Sequence, residues 1–261
     1  TDRGDVHYWI AGEGSEYLAF THGATMDHGM FDRQVDHFSS RYRVITWDVS
    51  AHGLSRPYEG FTLQHAAADL ANILDAEGVE KAHLVGQSMG GYIIQILALQ
   101  LPKRVKSLTV IGSSPIKTTY FSGMDKFLLK ITPFLLRLYP YNYLINLIAG
   151  QISVSHPSKT YALETLKKMT KGEFADIMGK VYFGLESGSD AVLLSIPLLI
   201  TLGDSEVTGK VRQYSLDWAT NEGRPLKVIP NAAHNANVDN PDAFNAILQA
   251  FLNEIDDNPQ K

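Results

Sequence analysis

The residues best placed to do chemistry are Gly86-Gln87-Ser88-Met89-Gly90, a G-x-S-x-G run that follows a β-rich stretch, 82–85, and precedes a helix-like run from Met89. A strand that reverses directly into a helix holds its turn residue in a strained conformation, and small flanking residues leave room for the neighbouring backbone. Ser88 is thereby pushed to the tip of a turn. The helix N-terminus behind it offers the Met89 N–H and a positive dipole end to a developing oxyanion. The expected chemistry is nucleophilic attack on a carbonyl. At ordinary Gly and Ser usage the pentapeptide arises by chance in roughly one chain in ten of this length, so the partners decide.

A serine nucleophile needs a base, which in a strand–turn–helix context of this kind follows the serine in sequence. Only His156 and His234 lie downstream. His156 falls in Ser155-His156-Pro157-Ser158, where Pro157 points to a surface loop. His234 follows the last strand candidate, in a loop at the carboxyl edge of the sheet beside Ser88, and is the predicted base. The acid that orients it belongs in the loop after strand 197–202, which reads Gly203-Asp204-Ser205-Glu206-Val207-Thr208-Gly209. Asp204 and Glu206 both qualify.

The elements that must hold these groups alternate. Short Val/Ile/Leu-rich runs at 6–10, 17–21, 43–48, 82–85, 107–111, 197–202 and 226–229 read as buried parallel strands. Amphipathic runs at 63–77, 89–101, 211–220 and 241–253 read as crossover helices, the first ended by Gly78 and the second by Pro102. The predicted fold is therefore α/β, with a mostly parallel central sheet flanked by helices. The alternation fails between 116 and 194, where helical pieces such as 127–138 and 161–169 carry no strand among them. That stretch is expected to be a helical cap insertion, leaving 1–115 and 195–261 as the core. Lys167, Lys168 and Lys171 within it read as a solvated helix face.

Composition narrows the function. The 261 residues are 44% hydrophobic and 20% charged, ordinary for a globular chain. With Lys+Arg 23 against Asp+Glu 28 the net charge is -5, and no basic excess exists to hold nucleic acid. Cysteine is absent, which removes disulfides, thiolate metal sites and cysteine nucleophiles. His22 and His28 lack a third ligand at recognisable spacing, so no metal is expected. No phosphate loop and no G-x-G-x-x-G after a strand appear, and no cofactor is expected. The stretch 127–149 is broken by Lys130, Pro133, Arg137 and Pro140, so no membrane insertion is expected. The opening Thr1-Asp2-Arg3-Gly4-Asp5 has no apolar signal-like region, and a cytoplasmic location is the expectation.

Taken jointly, these segments resemble the α/β-hydrolase superfamily nearly end to end. Thr21-His22-Gly23 resembles its HG oxyanion loop, and Asp48 to Pro57 its D-x-x-G-H-G-x-S-x-x-P segment with Ser50-Ala51 at the usual Pro-Gly pair. Gly86 to Gly91 resembles its G-x-S-M-G-G elbow, and the stretch 231–241 its C-terminal histidine segment. The resemblance implies Ala24 N–H as second oxyanion donor beside Met89. It gives His22 a structural role, as it does His28, His37, His52, His65 and His83. In family members the acid is usually an Asp three residues beyond the strand's Gly; here Glu206 fills that slot, and the resemblance assigns it the role over Asp204. It implies a serine hydrolase with a triad of Ser88, His234 and Glu206, acting on a small hydrophobic ester through an acyl-enzyme. C–C bond hydrolysis, acyl transfer and non-catalytic ligand binding are the alternative readings. The apolar and aromatic cap residues Phe121, Phe127, Phe134, Leu135, Tyr139, Tyr141 and Tyr143 are expected to line a pocket or pack the cap, with a lipid-facing lid as a further reading.

Overall fold

The computed structural model describes residues 1–186 and 195–257. Seven strands, β1 (Tyr8–Ala11), β2 (Tyr17–Thr21), β3 (Arg43–Trp47), β4 (Ala82–Gln87), β5 (Val105–Ile111), β6 (Leu198–Gly203) and β7 (Leu226–Ile229), form one sheet in the order β1-β3-β2-β4-β5-β6-β7. Every pairing is parallel except β1 with β3. All seven expected strands are present and the α/β expectation holds, but the first, read as a buried parallel strand, is a partly buried antiparallel edge strand.

Burial explains why these runs are strands. In β2 the side chains alternate between two apolar layers: Leu18 and Phe20 enter one, Ala19 the other. The first layer is completed by α1 (Asp32–Phe38) and α10 (Pro241–Asp256) through Phe38, Phe244, Leu248 and Leu252. The second is completed by α2 (Leu63–Ala76), α3 (Met89–Gln100) and α8 (Val211–Glu222) through Leu70, Ile93 and Trp218. A sheet covered on both faces has central strands buried along their whole length, as β4 and β6 are, and their sequences are mostly apolar.

The register brings the carboxyl ends of the parallel strands to one edge. Thr21 pairs with Gly86, Gly86 with Val110, and Gly203 with Ile229. The loops leaving β2, β4, β5, β6 and β7 therefore meet there, with the short α9 (Ala236–Asp239) following the last.

Between β5 and β6 the described residues form four α-helices, α4 (Gly123–Leu136), α5 (Tyr141–Ile152), α6 (His156–Lys167) and α7 (Lys171–Glu186). The expected end of this insertion, at 194, lies outside the described residues. One local expectation is corrected. Pro157 does not mark a loop: it stands in the first turn of α6 behind the N-cap Ser155, whose hydroxyl accepts the Ser158 N–H, and at that position its missing N–H costs nothing. Pro140 stands between α4 and α5 as the N-cap residue of the latter, so the stretch 127–149 is broken there as expected.

The apolar and aromatic residues singled out in this stretch divide. Phe121 is buried and Tyr141 packs near Phe174, its hydroxyl donating to Leu166 O at 2.7 Å. Phe127, Phe134, Leu135, Tyr139 and Tyr143 instead face solvent, 42% to 65% exposed, and neither pack the cap nor line an enclosed pocket. The inward side of α4 is taken by Leu129 and Leu136, which leaves those positions pointing out. No described helix is long and apolar enough to cross a membrane.

Candidate active site

Ser88 sits between β4 and α3 with φ 49° and ψ -113°, a conformation that costs an L-residue free energy. Close packing imposes it. A Cβ on Gly86 would strike the backbone of Gly90, and one on Gly90 would strike Thr21 O and His22 O on the neighbouring strand end. From Ala82 to Ala98 every residue is buried except Ser88, so the turn delivers that one side chain to solvent. Its N–H is anchored to Ile111 O at 2.9 Å.

The β2 loop lies directly against this turn. A Cβ on Gly23 would stand 3.3 Å from Ser88 Cβ and would collide with Gln87 Oε1, so a side chain there would displace the Gln87 amide. Ala24 follows, and Thr25 adopts φ 66° in the turn closed by Met26 N–H to Gly23 O. Among the described residues neither the Ala24 N–H nor the Met89 N–H donates to a protein acceptor.

His22 has the structural role expected of it. Val49 N–H donates to its Nε2 at 2.9 Å, which fixes the proton on Nδ1, and Nδ1 donates to Gly23 O at 2.8 Å. Burial holds it below the ordinary histidine range. The other histidines are also occupied: His28 binds Asp48 at 2.8 Å, His52 donates to Ser50 O, His65 contacts Gly60 O, His83 bridges Ser107 and Asp256, and His37 abuts Phe38.

His234 lies in the loop after β7, 7% exposed, with Nδ1 2.7 Å from Glu206 Oε2. An ionised carboxylate accepts from Nδ1–H, leaving Nε2 with a lone pair. Burial pushes the Glu206 carboxyl up, but His234 and the Thr208 N–H, 2.7 Å from its other oxygen, outweigh this and hold it below the usual glutamate value. Asp204 does not reach the imidazole. It accepts Asn231 N–H at 2.8 Å and Ala232 N–H at 3.2 Å, bonds that keep its carboxyl low, and so braces the loop that carries His234.

No hydrogen bond joins Ser88 Oγ to His234 among the described residues; shared neighbours place them. Gln87, next to Ser88, donates from Nε2 to His234 O at 3.0 Å. Gly112, next to the anchor of Ser88 N–H, faces Glu206 Oε2 and His234 Nδ1, each 3.0 Å from where its Cβ would stand. Sequence reading singled out neither Gln87 nor Asp239, whose carboxylate accepts Ala233 N–H at 2.9 Å. Gln87 occupies a variable slot of the elbow motif, and Asp239 stands two residues before Pro241 with no motif to mark it. Among the described residues no cluster of potential metal ligands occurs.

This constellation coincides with a match over most of the chain: residues 18–241 fit the sequence model for the alpha/beta hydrolase fold. The chain belongs to the alpha/beta hydrolase fold family. It is 28% identical over 251 residues to 3-oxoadipate enol-lactonase 1 of Acinetobacter baylyi, covering 93% of this chain and 91% of that protein. A shorter stretch of 113 residues is 39% identical to a 2-hydroxy-6-oxononadienedioate/2-hydroxy-6-oxononatrienedioate hydrolase of Burkholderia vietnamiensis, covering 41% and 39% of the two chains. The crystal structure of a hydrolase from Pseudomonas aeruginosa shares the fold with TM-score 0.81 at 22% identity, over 97% of this chain and 96% of that one.

Proposed function

We propose that this alpha/beta hydrolase cleaves carboxylic esters or enol-lactones through an acyl-enzyme on Ser88. The observation that carries the reading is the buried Glu206–His234 pair at 2.7 Å beside a serine held at φ 49°. Ser88 Oγ gives its proton to His234 Nε2 as it attacks the carbonyl carbon. Glu206 stabilises the resulting imidazolium, and Ala24 and Met89 N–H groups receive the oxyanion. His234 then protonates the leaving alkoxide or enolate, and water repeats the sequence to release the acid.

Helices α4–α7 serve in this reading as the cap over Ser88. Support comes from the α5–α6 junction, where Ile152 O accepts Asn235 N–H at 2.9 Å, one residue beyond His234. The enol-lactonase likeness favours a small acyl substrate.

The test is p-nitrophenyl ester and enol-lactone hydrolysis beside fluorophosphonate labelling mapped by mass spectrometry. Wild type is expected to turn over and to carry the label on Ser88, with S88A losing several orders of magnitude. Full activity in S88A overturns the proposal. C–C hydrolysis is the second reading, favoured by the 113-residue likeness to a hydrolase of a 2-hydroxy-6-oxo acid. It predicts esterase silence with turnover of a vinylogous diketone acid.

A further inference from the structure

The outward face of α4 is apolar. Met124, Phe127, Leu128, Phe134 and Leu135, continued by Leu138 just past the helix end, are 42% to 66% exposed. At about 100° per residue they fall in one stripe roughly 120° wide, so this is a continuous face and not scattered side chains. Soluble surfaces rarely carry so large a patch without a partner. Tyr139 and Tyr143, stacked at 6.5 Å, extend it toward α5 with rings half in solvent.

Charge says what the partner is. Lys126, Lys130 and Arg137 run along one edge of the stripe, and Arg137 reaches Asp176 at the surface. Asp125 is the only acidic residue between Glu80 and Glu164, in a chain of net charge -5. It points inward, buried, capping α4 and pairing with Lys210 at 2.7 Å. The face is thus apolar and aromatic with a cationic border, and its one neighbouring anion, Asp176, is already held by Arg137. A second copy presenting the same face supplies no further acid to meet Lys126 and Lys130, whereas an anionic bilayer supplies both a hydrocarbon boundary and negative headgroups.

We propose that the α4 face docks the protein on anionic phospholipid surfaces, lying in the interface without spanning it. The proposal is independent of the Ser88 chemistry, and S88A is expected to bind lipid as wild type does.

Co-sedimentation with phosphatidylcholine vesicles, with or without phosphatidylglycerol, tests it. Wild type is expected to partition about tenfold better onto the anionic vesicles, an advantage lost in high salt. F127S/F134S/L138S, whose side chains are more than half exposed and whose melting midpoint is expected to stay put, should lose at least about tenfold on both vesicles. K126E/K130E should lose about tenfold on anionic vesicles alone. Absence of binding, binding untouched by the serine substitutions, or binding untouched by charge reversal each overturns the proposal. So does a concentration-dependent dimer, seen by analytical ultracentrifugation, that the serine variant abolishes while lipid binding is absent.

Discussion

Asp239 accepts the N–H of Ala233, the residue before His234, at 2.9 Å, and the same carboxylate accepts Ser155 N–H at 2.8 Å and Val154 N–H at 3.0 Å. One side chain thus ties the α5–α6 junction of the helical insertion to the loop that carries the proposed base. Three backbone donors converge on it, and Asp239→Ala leaves all three without that acceptor. A loop displaced by about 1 Å misplaces Nε2, so kcat is expected to fall about ten- to hundredfold. Steady-state kinetics with p-nitrophenyl esters checks this; kcat equal to wild type would remove Asp239 as a positioning residue.

Glu206 and Asp204 stand two residues apart, yet one meets the His234 imidazole and the other the Asn231 and Ala232 N–H groups. Glu206→Gln keeps the shape but loses the charge that stabilises the imidazolium, and kcat should drop about 10³- to 10⁴-fold. Asp204→Asn should lower the melting midpoint while leaving kcat within about tenfold. The opposite ranking would transfer the acid role to Asp204.

The strands and the elbow were legible because buried parallel strands write themselves as short Val/Ile/Leu runs, and because the Gly86 and Gly90 contacts admit no side chain. The choice between Glu206 and Asp204 was not legible from residue chemistry: both are carboxylates of one loop, and only the fold decides which faces a ring and which a backbone. Pro157 read as a loop marker because proline interrupts helices internally, whereas here it stands in the first turn of a helix. The α4 stripe failed for another reason. Periodicity identifies an apolar face but not the side it turns to, and the partly buried Leu129 and Leu136, packed against the two core clusters, show which face the core took.

Ser88 holds φ 49° and ψ -113°, a region glycine enters at little cost. Ser88→Gly is therefore expected to abolish turnover and raise stability by about 1 kcal/mol, a shift of roughly 2–4 °C for a domain of this size. Ser88→Ala, which keeps the Cβ, should abolish turnover without that gain. Thermal melts of the two variants side by side check the difference; equal midpoints would show that the elbow stores no strain.

Buried neutral histidines set the acid limit of stability. Burial lowers His52 to about 3 from an ordinary 6.5, and also lowers His22, whose Nε2 lone pair is committed to Val49 N–H. A histidine depressed in the folded state is protonated first in the unfolded chain, so between pH 6.5 and 3 the unfolded state binds more protons and stability falls with pH. For His52 alone the loss between pH 7 and pH 5 is about 2 kcal/mol. Glu206 acts in the same direction at lower pH. Its folded value is depressed, so its contribution is intact above the ordinary glutamate range and is lost as pH falls through the folded value. Urea denaturation at pH 7 and pH 5 should show the drop in wild type and a smaller one in His52→Gln, which cannot take up a proton. An equal drop in both proteins would assign the acid sensitivity to groups other than His52.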